Sequence, residues 1–184
     1  MVAAAIADEL HLPLTIFMIR KLGVPGHEEL AMGAITSGGM KLFNRRIVDE
    51  LALPEDAIEA VVLRETGELE RRERLYTRGR IPTEFKGKTI ILVDDGIATG
   101  TSIRLAMDAL RKQGAATIVL AVPVGPPDSI AALRQVADCV VCLAEPPRFV
   151  AVGNWYENFQ QVSDYDVCRL LDAHYARQFS ARSA

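Results

Sequence analysis

Two adjacent carboxylates, Asp94 and Asp95, stand between a short apolar run, Ile90-Ile91-Leu92-Val93, and a run of small and hydroxyl residues, Gly96-Ile97-Ala98-Thr99-Gly100-Thr101-Ser102. Carboxylates only accept hydrogen bonds at neutral pH, and hydroxyls can donate. Two carboxylates side by side repel each other, so they ask for a cation or for hydroxyl donors. The small-residue run ends where an amphipathic segment, Ile103 to Lys112, begins. The first turn of a helix presents unbonded N–H groups and a positive dipole end, which suits a phosphate. Acceptors for a vicinal diol, set one turn before an anion cradle, fit a ribose 5-phosphate.

These residues need elements to hold them. Four branched apolar residues bounded by polar signals predict a short buried strand. Ligands of open α/β sheets bind just outside the carboxyl ends of such strands. The order of the motif excludes two close competitors. A Walker A loop would end in Gly-Lys-Ser/Thr, and this loop has no lysine. A dinucleotide fingerprint opens the helix with Gly-x-Gly-x-x-Gly and places its acid about 20 positions later. Here the acids come first. The plain alternative is a buried strand feeding a capped helix, with both carboxylates merely solvated.

Along the rest of the chain, Val2 to Leu10 favour helix and Leu14 to Ile19 read as a strand that ends in Arg20-Lys21. Ala31 to Thr36, a turn at Gly38-Gly39 and Lys41 to Phe43 predict a hairpin. Arg45 to Leu51 reads as a short helix. A longer helix runs from Glu55 towards Tyr76, weakened or broken at Gly67. After the motif helix, Gly114 supplies a C-cap. Thr117 to Val122 and Asp138 to Leu143 are strands, separated by a helix from Pro126 through Val136. Alternating strand and helix predict a parallel, doubly wound sheet. Alternation stops at Pro146-Pro147. Ser163 to Asp166 then forms a capping box for a last helix whose apolar face carries Val167, Leu170, Leu171 and Tyr175. The expectation is one α/β domain over 1–184: a mainly parallel doubly wound sheet, a short hairpin, and a C-terminal helical appendage over 146–184.

With 184 residues, 24% charged and 49% hydrophobic, the chain can bury a real core. A formal charge of −3 argues against a general nucleic-acid or membrane-surface binder. No stretch approaches a membrane span, and the N-terminus does not read as a signal peptide. Three cysteines suit a reducing cytoplasm better than a disulfide framework. Cys139 and Cys142 make a Cys-x-x-Cys, but strand alternation sends their side chains to opposite faces. Buried core thiols are the expectation there, against zinc.

The motif string closely resembles the phosphoribosyl diphosphate (PRPP) motif of type I phosphoribosyltransferases, which joins an apolar strand, two acidic residues and a Thr-Gly-Thr-Ser-like loop. Ala98 matches the Ala-Thr-Gly version of adenine-type members, where 6-oxopurine members have an Asp. Those adenine-type members also carry an Arg-Lys-x-x-x-Pro-Gly segment similar to Arg20-Lys21-Leu22-Gly23-Val24-Pro25-Gly26. The resemblance implies displacement of pyrophosphate at C1 of PRPP by a nitrogen base. It implies that Asp94 and Asp95 meet the ribose and help to hold Mg²⁺, and that Ala98, Thr99, Gly100, Thr101 and Ser102 cradle the 5-phosphate. Arg20 and Lys21 would meet the pyrophosphate, with Lys21 as a catalytic cation; a solvated strand end is the other reading of that pair. By its position at a strand end, Arg20-Lys21 is expected to deliver side chains to the same sheet edge as Asp94.

A mobile hood is expected from the interval Glu65 to Arg80, whose Arg71, Arg72, Arg74, Arg78 and Arg80 alternate with Glu68, Glu70 and Glu73. The i,i+4 pairs Glu68–Arg72 and Glu70–Arg74 make a solvated helix face the default reading, and the hood is what the resemblance implies. Trp155, within the aromatic cluster Phe149 to Phe159, stacks on the base or helps Phe149 and Phe159 seal the tail. The family's first strand and its Gly-Gly loop are expected to be missing, so a PRPP-sensing module without chemistry and a fragment of a larger enzyme stay open beside the enzyme. An unpaired sheet edge would then suit a homodimer. The expected small-molecule partners are PRPP and a nitrogen base, with no nucleic acid and no membrane.

Overall fold

In a computed structural model the backbone is described for residues 1–78 and 84–182. Arg80 lies outside the described residues. The chain divides into two compact units, Ile16–Pro82 and a second made of Met1–Thr15 with Thr83–Ala184. Among the described residues there are two three-stranded sheets, one antiparallel and one parallel.

The unit that holds the motif is α/β. Its strands β4 (Thr89–Val93), β5 (Thr117–Val124) and β6 (Cys139–Ala144) lie in that order and run parallel. Val124 pairs with Ala144, which aligns the carboxyl ends of β5 and β6, whereas Val93 pairs with Ala121, so β4 ends short of Val124. The crossovers are α4 (Thr101–Lys112) and α5 (Pro127–Leu133). Ile118 and Leu120 of the central strand, Leu110 of α4, and Ile130 and Leu133 of α5 are all buried, at 1% exposure or less. Burying such side chains is worth about 1.5–3 kcal/mol each, so strand order and helix faces fix one another.

Gly114, at φ +86°, ends α4 as expected and returns the chain to β5. Helix α6 (Asp164–Arg182) begins at the predicted Ser163 cap, whose Oγ accepts from Asp166 N at 3.2 Å; the other half of the box differs, since Asp166 Oδ2 accepts from the Ser163 hydroxyl at 2.6 Å and not from its backbone N–H. Its buried His174 places Nε2 3.6 Å from Asp8 Oδ1 at the end of α1 (Val2–Glu9). No helix among the described residues is long and apolar enough to cross a membrane.

The other unit is a hairpin sheet with helices. Strands β1 (Ile19–Val24), β2 (His27–Thr36) and β3 (Lys41–Phe43) pair antiparallel in that order. The predicted hairpin is present, with Ala34 opposite Leu42. Leu22, Val24, Met32, Ile35 and, from α3 (Glu55–Thr77), Leu69 form the core. The short helix α2 (Arg45–Glu50) is capped by Asn44, whose side chain accepts from Ile47 N.

Three local expectations are corrected. The first strand begins at Ile19, not Leu14. Arg20 and Lys21 therefore lie inside a strand of the antiparallel sheet and do not share a sheet edge with Asp94. The apolar run 14–19 carried no signal for where pairing starts; partners on β2 decide it. Helix α3 (Glu55–Thr77) runs unbroken through Gly67, because a ladder of side-chain pairs offsets the roughly 1 kcal/mol that one glycine costs. In that ladder Arg71 and Arg72 both bond Glu68 at 2.8 Å, and Arg74 reaches Glu70 at 3.7 Å. Cys139 is exposed and Cys142 half-buried; only Cys168, in α6, is a buried thiol. Alternation along β6 is as expected, but this is the edge strand, so one of its faces stays open to water.

Candidate active site

The carboxylates leave β4 at the end where parallel strands deliver ligand groups. They are not equivalent. Asp94 is half-buried and Asp95 exposed. Burial pushes the Asp94 carboxyl above its usual value; a hydrogen bond from Asp95 N, at 2.9 Å to Oδ1, works against this, and the neighbouring Asp95 charge adds to it. Asp94 thus directs one oxygen at the backbone of its neighbour.

The loop after Asp95 is held by three bonds that reach far along the chain. Ile97 N donates to Val124 O at 2.8 Å, which fastens the loop to the end of β5. Ser129 Oγ, in α5, donates to Ala98 O at 2.9 Å. The Tyr156 phenol donates to Asp95 O at 2.5 Å. Ile97 itself is 1% exposed and acts as the loop's apolar peg. Ala98, Thr99, Thr101 and Ser102 are all exposed around it.

Gly100 turns the loop into α4. It sits at φ +74°, ψ 3°, in the left-handed region, as the residue that precedes the first helical turn. Arg104 N bonds back to Gly100 O at 3.0 Å, so the N–H groups of the three residues between, Thr101, Ser102 and Ile103, open the helix. Such groups have no carbonyl in a preceding turn. Thr101 N reaches only Thr99 Oγ1, at 3.5 Å, and the Thr99 and Thr101 hydroxyls lie 3.2 Å apart. The result is a helix N-terminus ringed by hydroxyls, with no basic side chain between Asp94 and Ser102. A phosphate there would be bound by backbone and hydroxyl donors and by the helix dipole.

The structure therefore brings together Asp94, Asp95, Ala98, Thr99, Gly100, Thr101 and Ser102 in one short stretch of chain. Trp155 belongs to the same unit, 47% exposed at the end of a 3-10 turn, Val152–Trp155. Phe159 is half-exposed, with its ring 5.1 Å from that of Tyr156. Arg20 and Lys21 lie in the other unit. The Arg20 guanidinium bonds Glu65 Oε2 at 2.6 and 2.9 Å, and Arg64 meets Glu65 Oε1 at 3.0 Å. Burial pushes the Glu65 carboxyl up, but the two guanidiniums outweigh it and hold it below its ordinary value. Lys21 is exposed on the same strand.

Among the described residues no three His, Cys, Asp or Glu gather as a metal site. The two carboxylates fit magnesium, which takes one or two carboxylates and completes its shell with water and substrate phosphates. Two site residues escaped the sequence reading. Ser129 gave no signal of its own. Tyr156 stood in the aromatic cluster, but its partner lies 61 residues away.

The sequence profile of the phosphoribosyl transferase domain matches residues 1–163. A Mycobacterium tuberculosis H37Rv protein, provisionally named a phosphoribosyl transferase, is 44% identical over 184 residues, which is all of this chain and 41% of that protein. The chain thus spans about two fifths of the length of that relative. A bifunctional protein PyrR of Citrifermentans bemidjiense is 32% identical over 99 residues, covering 51% of this chain and 56% of that one. The crystal structure of TT1426 from Thermus thermophilus superimposes with a TM-score of 0.81 at 35% identity, covering 92% of this chain and 80% of the other. A profile match over most of the chain, a similar solved fold and a motif built into the matching strand, loop and helix agree: this chain belongs to the phosphoribosyl transferase domain family.

Proposed function

We propose that the domain transfers the 5-phosphoribosyl group of PRPP to a nitrogen base and releases pyrophosphate. The observation that carries this reading is the carboxylate pair at the end of β4, set one turn before the Gly100-opened N-terminus of α4. The 5-phosphate accepts hydrogen bonds from the first-turn N–H groups and from the hydroxyls of Thr99, Thr101 and Ser102. Asp94 and Asp95 accept bonds from the ribose hydroxyls. As a base nitrogen forms its bond to C1, the bond from C1 to the pyrophosphate oxygen breaks. Positive charge gathers on the ribose, and fixed negative groups beside it favour that state over the ground state. A magnesium ion, when bound, would neutralise the leaving pyrophosphate, with Asp94 or Asp95 supplying part of its shell. We place the protein in the cytoplasm, where free thiols such as Cys139, Cys142 and Cys168 persist.

The test is a calorimetric titration with PRPP and Mg²⁺. It runs beside a screen of adenine, hypoxanthine, guanine, uracil and orotate for pyrophosphate release. Asp95→Asn removes a charged acceptor worth about 1.5–3 kcal/mol, so affinity for PRPP should fall roughly tenfold or more. Unchanged affinity in both Asp94→Asn and Asp95→Asn would overturn the assignment.

A further inference from the structure

We propose that Tyr156 is a positioning residue of the sugar-phosphate site, aiming the Asp95 carboxylate by clamping its backbone; this rests on the reading that Asp94 and Asp95 receive the ribose. The Asp95 side chain is exposed. The Cα–Cβ bond that carries it is aimed by the backbone. That backbone is held from both ends: Asp94 Oδ1 accepts from its N–H at 2.9 Å, and Tyr156 donates to its carbonyl at 2.5 Å.

The Tyr156 clamp is built, not incidental. Residues 152–159 lie as a strap on the end of β4. Its first contact is Val152, one of whose methyls comes within 2.6 Å of where a Cβ at position 96 would stand, so only glycine leaves room for it there. Further along, Gly153 lies under the Phe159 ring, 2.9 Å from where its own Cβ would stand, and that ring packs at 41° on Tyr156. The phenol is thus fixed by its ring as well as by its oxygen. Orientation of an existing group within a fraction of an ångström is the contribution such a residue makes to a site.

Tyr156→Phe in the full chain removes the hydroxyl and keeps the ring. Two probes separate positioning from general loss of structure. Inorganic phosphate needs only the α4 N-terminus, whereas ribose 5-phosphate with Mg²⁺ needs the carboxylates too. Affinity for ribose 5-phosphate should fall roughly three- to tenfold, the worth of one hydrogen bond, while affinity for phosphate stays as it was. Trp155, the chain's only tryptophan, sits beside Tyr156 on the strap and reports it by fluorescence. Its emission should change on adding ribose 5-phosphate to the native protein, and much less in the variant. Equal weakening of both probes would mean that Tyr156 acts through the fold. Unchanged binding and an unchanged emission response would mean that the clamp does nothing. Either result overturns the proposal. If native protein binds phosphate but shows no preference for ribose 5-phosphate, the ribose reading itself falls, and that outcome is distinct from both.

Discussion

A methyl group at position 100 should separate the loop's conformation from its packing. Gly100 stands at φ +74°, where a Cβ costs an L-residue roughly 1–2 kcal/mol. The same Cβ would stand 3.2 Å from Leu133 Cδ1, 3.5 Å from Cγ and 3.6 Å from Cδ2. Leu133 is 1% exposed in α5 and has nowhere to retreat, so the close contact adds a cost on the order of 1 kcal/mol. Gly100→Ala should therefore destabilise the protein by about 2–3 kcal/mol, a large share of the roughly 5–15 kcal/mol that holds a typical domain together. For a chain of this size each kcal/mol moves Tm by about 2–4 °C. Thermal and urea unfolding of Gly100→Ala, Leu133→Ala and the double variant form a cycle. Leu133→Ala alone leaves a cavity and costs about 2–5 kcal/mol. In the double variant the crowding disappears but the left-handed strain remains. The two changes should therefore fall short of additivity by the crowding part, on the order of 1 kcal/mol. A Gly100→Ala protein that melts within a degree of the native one would refute the account of this turn. Strict additivity would refute the packing half alone.

Three further outcomes follow from other residues. Asp94 has a folded-state acidity weakened by burial and by Asp95, so its contribution to stability is greatest below the ordinary value of 3.8 and is lost as pH rises through the raised folded value. Asp94→Asn should accordingly raise Tm at pH 7 and leave it nearly unchanged below pH about 4; melts across that range decide it. Glu65 is the opposite case, since its lowered value stabilises the fold above 4.5 and the effect fades as pH falls through the folded value. Glu65→Gln should cost about 1–2 kcal/mol at pH 7, reduced because Arg20 is partly exposed, and should flatten urea midpoints measured between about pH 3 and 5. Ser163→Ala removes the cap of α6 and should cost about 0.5–2 kcal/mol by thermal unfolding, with Ser163→Thr, whose hydroxyl both accepts and donates, restoring most of it.

What the sequence made legible was local. The apolar run, the paired acids and the glycine before Thr101 all act within a dozen residues. Strand, loop and helix follow from periodicity and capping there, and the hairpin at Gly38-Gly39 follows from turn chemistry. Where pairing across distance decides, reading fails. Only β2 fixes that β1 starts at Ile19, and so moves Arg20 and Lys21 inside a strand. Whether Cys139 is buried depends on β6 having no neighbour on its outer side. The pairing of Arg20 with Glu65, 45 residues on, left no mark in the neighbourhood of either. Ser129 and Tyr156 show the same gap: a hydroxyl that bonds a distant carbonyl leaves no pattern in its own neighbourhood.

The three distant bonds that hold the loop all end on its main chain, at Asp95 O, Ile97 N and Ala98 O. Main-chain groups are the same whichever amino acid carries them. The path of the loop is therefore separate from the identity of the side chains displayed at 98, 99, 101 and 102. Those positions can be exchanged during evolution without undoing the turn, while Gly96 and Gly100, which leave room for Val152 and Leu133, cannot. Substitution libraries confined to the displayed positions should keep a folded scaffold at high frequency. Such a loop can change the hydroxyls it offers to an anion while the frame beneath it stays the same.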